Sequence, residues 1–226
     1  MRRVDVPAKW SRKLCVVTDF RPDDSSRYFS SREIGALAKF RTAKRREEWA
    51  LSRIAAKLLA IDRHLCSDPK ECSVVSTEEG PRLMIRNQES SWNLSISHSH
   101  GLGAAALDAM GIGVDLEKVR DLDEKAFKFF LVPSEIRLMK ALPLEHASIH
   151  FWCCKEAAWK TQSQELTLRK ISVELMDEHR DRLVLKYRAA PSGVVESFSL
   201  DANYVGAIAE PTWDSEEFRI PPLETE

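Results

Sequence analysis

The sequence predicts an α+β fold made of two related halves, each a long helix packed on a small antiparallel sheet. Two stretches, residues 33–64 and 148–162, carry helical apolar spacing. Short strand-like runs follow each of them by some tens of residues. There is also an internal echo. Ser95-Ile96-Ser97 followed by Gly103-Ala104-Ala105-Ala106-Leu107 is matched by Ser197-Phe198-Ser199-Leu200 followed by Val205-Gly206-Ala207-Ile208-Ala209. The expected organisation is an N-terminal half over 1–110, a C-terminal half over 111–210 and a loosely ordered tail over 211–226, rich in Pro and Glu.

In chain order, Lys13 to Phe20 reads as a short strand and residues 21–26 as a loop. Ala43, Ala50, Ile54, Leu58 and Ile61 then recur at three-, four- and seven-residue steps, so 33–64 is expected as one helix. Polar residues 66–72, with Pro69, form a connection. Val74-Val75 opens a strand and Gly80-Pro81-Arg82 marks a turn. Residues 92–98 alternate apolar and polar as a half-buried strand does. Residues 104–107 and 112–116 read as two strands around Asp108-Ala109-Met110-Gly111. Residues 118–142 are charged and partly helical, interrupted by Pro133, and 148–162 is a helix. The runs 171–175, 183–185, 196–200 and 204–209 complete the second set of strands.

The 226 residues contain 34 Lys and Arg against 35 Asp and Glu, a net charge of −1, which argues against binding polyanions by bulk charge. No apolar run approaches the roughly 18 residues of a membrane span. Five cysteines, at 15, 66, 72, 153 and 154, lack the paired spacing of a structural zinc site and are read as ordinary thiols of a cytoplasmic protein.

Four groups of residues could carry chemistry. In Gly111-Ile112-Gly113-Val114-Asp115-Leu116-Glu117, a strand would set Asp115 and Glu117 on one face, where two carboxylates repel unless a cation neutralises them. Hard oxygen ligands favour Mg²⁺. The plainer reading is an exposed strand with two acids. In Phe151-Trp152-Cys153-Cys154-Lys155-Glu156-Ala157-Ala158-Trp159-Lys160, helical spacing brings Trp152, Glu156 and Lys160 to adjoining parts of one face, as a third ligand or base beside a cation. The plainer reading is an ion pair worth about 0.3–0.5 kcal/mol over core tryptophans. Ser95-Ile96-Ser97-His98-Ser99-His100 could meet phosphate oxygens, or be surface histidines in a turn. Lys44, Arg45, Arg46, Arg53 and Lys57 offer phosphate-matched donors, or a solvated helix face interrupted by Glu47 and Glu48.

Taken in order, the basic helix, Gly80-Pro81, Ser97-His98, Gly113-Val114-Asp115-Leu116-Glu117, Phe129-Phe130 and Trp152-Cys153-Cys154-Lys155-Glu156-Ala157-Ala158-Trp159-Lys160 resemble the 4'-phosphopantetheinyl transferase family. The length resembles its monomeric, two-half, surfactin-synthetase-activating (Sfp) type. The resemblance implies transfer of the phosphopantetheine arm of coenzyme A to a serine of an apo acyl or peptidyl carrier protein. It also implies a requirement for Mg²⁺ and release of adenosine 3',5'-bisphosphate. Carried over by motif, Asp115, Glu117 and Glu156 hold the metal, and Glu156 is the candidate base. Lys160 and Lys155 meet the phosphates, Lys160 being favoured because it shares the Glu156 face. Ser97 and His98 line the phosphate region of coenzyme A. Arg45 (or Arg46) and Arg53 grip its 3'-phosphate, and Arg82 lies near the nucleotide. Two departures stand out: Gly80-Pro81-Arg82 where many members read Gly-Lys/Arg-Pro, and Cys153 where Ser or Thr is frequent. The carrier is expected to dock over 119–142, with Phe129, Phe130, Leu131 and Met139 beside Lys125, Lys128, Arg137 and Lys140, one of the two phenylalanines being core. No nucleic acid or membrane partner is expected. The alternative is a non-catalytic homologue that binds coenzyme A or a carrier.

Overall fold

The computed structural model describes residues 1–162, 166–179 and 181–212. Among the described residues, eleven strands form two antiparallel sheets. The first holds β1 (Arg2–Val4), β2 (Leu14–Thr18), β3 (Cys72–Thr77), β4 (Gly80–Ile85), β5 (Gln88–Ser99) and β6 (Leu102–Asp108) in the order β1-β2-β6-β5-β4-β3. The second holds β7 (Gly113–Lys118), β8 (Ser172–His179), β9 (Arg182–Arg188), β10 (Gly193–Asp201) and β11 (Tyr204–Pro211) in the order β7-β11-β10-β9-β8. The short helix α1 (Ser25–Tyr28) precedes α2 (Ser31–Leu37) and α3 (Ala43–Asp62), which covers the first sheet. After β7 come α4 (Glu124–Phe130), α5 (Pro133–Ala141) and α6 (Ala147–Trp159), the last lying on the second sheet. β11 continues through Pro211, and the remainder of the expected tail, from residue 213, lies outside the described residues. No helix among the described residues is long and apolar enough to cross a membrane.

Sequence and structure differ at several elements. The helix expected over 33–64 is two. α2 starts on a capping box in which Ser30 and Glu33 satisfy each other's backbone N–H, and α3 starts afresh where Thr42 Oγ1 accepts from Arg45 N. The charged stretch 118–142 is likewise two helices. Asp123 caps α4, and Pro133 stands at the first turn of α5, where its missing N–H costs nothing. Strands 104–107 and 112–116, read around Asp108-Ala109-Met110-Gly111, fall in different sheets: β6 pairs with β2 and β5, and β7 pairs with β11. Cys66 and Cys72 are joined as a disulfide rather than left as thiols, because the turn at Pro69–Glu71 folds the connection back on itself. Cys15, Cys153 and Cys154 are free and buried.

Each sheet has its own core against its helix, and a third apolar cluster lies between them, with Leu14, Val16, Ala104 and Ala106 meeting Val114, Leu116, Phe198 and Ile208. Ion pairs tie the sheets across this layer. Lys9 reaches Glu196, and Lys13, which also pairs with Asp108 of its own sheet, reaches Glu210. The close fit of α6 on β7 depends on Gly113, since a Cβ there would fall on the carbonyl oxygen of Ala157.

Each helix also carries one wholly buried lysine. Lys57, expected on a solvated face, donates to Glu33, to Pro69 O and to Cys72 O at the start of β3. Lys155 donates to Glu135 and to Ile171 O just before β8. Glu33 and Glu135 are both the third residue of the helix that precedes the long one, and both cap its first turn.

Candidate active site

The site forms where β7, an edge strand of the second sheet, passes β5 of the first, under the C-terminal part of α6. β7 is buried through Leu116, and its alternation directs Asp115 and Glu117 to the same side. Asp115 is 6% exposed. Its Oδ1 accepts from Lys160 Nζ at 2.9 Å and from Ser97 Oγ at 2.9 Å, while its buried Oδ2 has no hydrogen-bond partner. Lys160 also donates to Val114 O at 2.9 Å, so one ammonium spans two atoms of β7. Glu117 Oε1 accepts from Trp152 Nε1 at 3.2 Å, and its Oε2 from Arg120 at 3.0 Å.

Glu156 lies on the same face of α6 as Trp152 and Lys160, one turn from each. Burial pushes its carboxyl above the usual range. The charges of Asp115 and Glu117 push it further the same way, and Lys160 opposes them. The three carboxylates named by motif therefore share one electrostatic neighbourhood. Among the described residues, no three His, Cys, Asp or Glu side chains are yet gathered as closely as a bound metal would hold them. The unpaired buried oxygen of Asp115 and the repulsion felt at Glu156 nonetheless fit a divalent cation: Lys160 offsets the carboxylate charge in part, and Asp115 Oδ2 is left without a donor.

Cations gather on the other side of this cluster. His98 is held below its ordinary pKa by burial; the charges of Lys160, Arg45 and Arg53 add to that, and Glu48, whose carboxylate lies 3.6 Å from its Nε2, opposes it. Arg45 and His98 line a cleft of about 350 Å³ that Glu117 and Arg120 border. Lys160 and Arg82 line a second cleft of about 330 Å³ between β5 and the end of α6. Arg53 is 7% exposed, stacks on Trp49 at 4.2 Å and borders a third cavity of about 500 Å³ beside Ser76. Arg46 turns the other way and donates to Phe40 O, so Arg45 is the one that faces His98.

The expected site residues are therefore mostly, but not all, brought together. Asp115, Glu117, Glu156, Lys160, His98 and Arg45 converge. Arg53 and Arg82 line neighbouring cavities. Lys155 is not part of the group: its ammonium is sealed between Glu135 and Ile171 O, and burial lowers its pKa. Ser97 and His98 part company, since neighbours on a strand point to opposite faces. The Ser97 hydroxyl meets Asp115, not the side of His98. Several contacts went unforeseen. Trp152 donates to Glu117 and meets Phe130 edge-on at 5.0 Å. Arg120 pairs with Glu117 from three residues along, and Glu48 faces His98 from α3. The three-residue spacing of Arg120 was visible in sequence; the pairings across elements were not.

Residues 111–209 match the sequence profile of the 4'-phosphopantetheinyl transferase superfamily, a range that holds β7, α6 and all three carboxylates. The chain is also similar to the 4'-phosphopantetheinyl transferase psf-1 of Bacillus pumilus, with 27% identity over 145 residues. That similarity covers 62% of this chain and 61% of the relative's length.

Proposed function

We propose, for a chain whose residues 111–209 match the 4'-phosphopantetheinyl transferase superfamily, that it transfers the phosphopantetheine arm of coenzyme A to a serine of an apo acyl or peptidyl carrier protein. The observation that carries the reading is the cluster at β7 and α6. Asp115, Glu117 and Glu156 sit in one field, Lys160 is bound to the first of them, and His98 and Arg45 stand alongside.

Asp115, Glu117 and Glu156 would hold Mg²⁺, which when bound neutralises their repulsion and stabilises charge on the pyrophosphate and the leaving bisphosphate. Glu156 is the candidate base. With its affinity for protons raised by burial, it takes the proton of the carrier serine, directly or through one water. The serine oxygen bonds to the phosphorus that carries the pantetheine arm. The phosphoanhydride bond breaks, and adenosine 3',5'-bisphosphate leaves with the electron pair. Lys160 borders the 330 Å³ cleft with Arg82, which suits phosphate and nucleotide. His98, Arg45 and Arg53 supply positive charge for the remaining phosphates. The carrier docks over 119–142, where Phe129 is 79% exposed while its neighbour Phe130 is buried against Trp152. An incoming carrier thus presses on the helix whose core residue touches the tryptophan bound to Glu117.

The two halves, 1–110 and 111–210, are read as pseudo-symmetric. Support comes from the matching strand orders β2-β6-β5-β4-β3 and β7-β11-β10-β9-β8, and from the paired buried clasps Lys57–Glu33 and Lys155–Glu135. In this reading the working unit is a single cytoplasmic chain with one site between its halves. The test is Asp115→Ala and Glu156→Gln, each assayed for formation of holo carrier from coenzyme A. Both should abolish transfer while thermal unfolding stays within a few degrees of wild type. Unchanged transfer in either would overturn the assignment. Coenzyme A binding by wild type without any holo product would favour the non-catalytic alternative.

A further inference from the structure

β7 is an edge strand, so half of its backbone N–H groups have no strand to pair with. Facing that edge, β5 places three serines at alternate positions on one side: Ser95, Ser97 and Ser99, which are 3%, 7% and 6% exposed. Ser95 Oγ accepts from Val114 N at 3.0 Å, and Ser99 Oγ accepts from Lys118 N at 3.1 Å. Between them, Ser97 Oγ donates to Asp115 at 2.9 Å. Ser99 Oγ also reaches Glu117 Oε2 at 3.4 Å and His100 Nδ1 at 3.1 Å. A hydroxyl has one hydrogen and two lone pairs. Ser99 fills all three when Lys118 N and His100 Nδ1–H donate to it and it donates to Glu117.

We infer that Ser95, Ser97 and Ser99 form a hydroxyl ladder that stands in for a missing strand between the two sheets, and that Ser97 and Ser99 are positioning residues for the carboxylates Asp115 and Glu117. The inference rests on the transferase reading for its catalytic consequence, but not for its geometry. Two rungs join β5 to backbone N–H groups of β7, which fixes the register of one strand against the other. Two rungs touch the carboxylates themselves. Ser95 belongs only to the first kind and Ser97 only to the second, while Ser99 belongs to both. The periodicity of the strand explains why the spacing must be two residues: a slip by one would present Ile96 and His98 to β7 instead.

The experiment compares wild type with S95A, S99A and S99T, reading three quantities on each. These are Mn²⁺ binding by electron paramagnetic resonance, thermal unfolding, and kcat and KM for coenzyme A in carrier modification. Groups that orient metal ligands through hydrogen bonds are worth about 10- to 100-fold in metal affinity or activity. S99A should therefore lose about tenfold in Mn²⁺ affinity and in kcat, with KM for coenzyme A changed by less than about twofold, and S99T should recover most of the loss. S95A should lower the unfolding temperature and leave Mn²⁺ affinity as in wild type. The inference is overturned if S99A and S95A both keep wild-type Mn²⁺ affinity, or if wild type binds no Mn²⁺. If wild type binds Mn²⁺ and coenzyme A but modifies no carrier, the transferase reading fails, and the Mn²⁺ comparison still decides the ladder.

Discussion

Lys155 and Lys160 stand five residues apart on one helix, and the structure gives them opposite jobs. Replacing Lys155 with Met removes an ammonium that is fully buried and that donates to Glu135 Oε1 at 2.9 Å and to Ile171 O. Glu135 would keep its bonds from Val132 N at 2.9 Å and Val173 N at 3.0 Å but would lose the counter-charge of Lys155, at 3% exposure. Leaving one partner of a buried ion pair uncompensated costs about 3–5 kcal/mol. At about 2–4 °C per kcal/mol for a chain of this size, Lys155→Met should unfold roughly 10 °C below wild type. Adding Glu135→Gln, which leaves an amide in place of the bare carboxylate, should return part of that loss. Lys160→Met should do the reverse. It removes a partly exposed lysine from Asp115, which keeps its bond from Ser97, so unfolding should shift less than in Lys155→Met, while coenzyme A binding and transfer drop sharply. The assay is thermal unfolding by circular dichroism together with calorimetric titration of coenzyme A. Stability unaltered in Lys155→Met, with coenzyme A affinity falling as far as in Lys160→Met, would refute the reasoning and restore Lys155 as a phosphate ligand.

Gly113→Ala should cost about 1–3 kcal/mol by overpacking and should reduce transfer disproportionately, because α6 must move off β7 and carries Glu156 with it. Unfolding and holo-carrier formation measured together check this, and wild-type transfer would contradict it. His150 is 1% exposed, its Nδ1 lies 2.8 Å from Ser197 Oγ, and burial holds its pKa at about 4. The unfolded chain binds the proton more readily, so this contribution is complete above pH 6.5 and is lost as pH falls towards 4. The shift corresponds to about 3 kcal/mol. Urea unfolding of wild type and His150→Gln across that window should show the acid slope flatten in the variant, and identical slopes would contradict it. Trp152→Phe keeps the packing against Phe130 but removes the donor to Glu117; it should raise the Mg²⁺ concentration needed for half-maximal transfer while leaving unfolding nearly unchanged.

What the sequence disclosed was what local spacing can encode. Asp115 and Glu117 share a side because strands repeat every two residues, and Glu156 and Lys160 share one because a helix turns in 3.6. The same arithmetic also separates Ser97 from His98, but which surface each face meets was set by β7 arriving from the other sheet. The fates of Lys57 and Lys155 were hidden for a similar reason. Their partners Glu33 and Glu135 are 24 and 20 residues away, and nothing on its own helix shows either lysine's partner: Lys57 reads as a solvated charge and Lys155 as a phosphate ligand. The break between α2 and α3 was obscured because the start of the new helix rests on one cap, Thr42, rather than on a Gly or Pro. Cys66 and Cys72 look like unrelated thiols until the turn between them brings them together.

The most direct measurement is a mass spectrum of an apo carrier protein incubated with this chain, coenzyme A and Mg²⁺, with EDTA in a parallel sample. The account predicts a carrier heavier by one phosphopantetheine group at its serine, and an unmodified carrier when EDTA is present. An unmodified carrier in both samples, across acyl and peptidyl carriers and with coenzyme A bound, would contradict it.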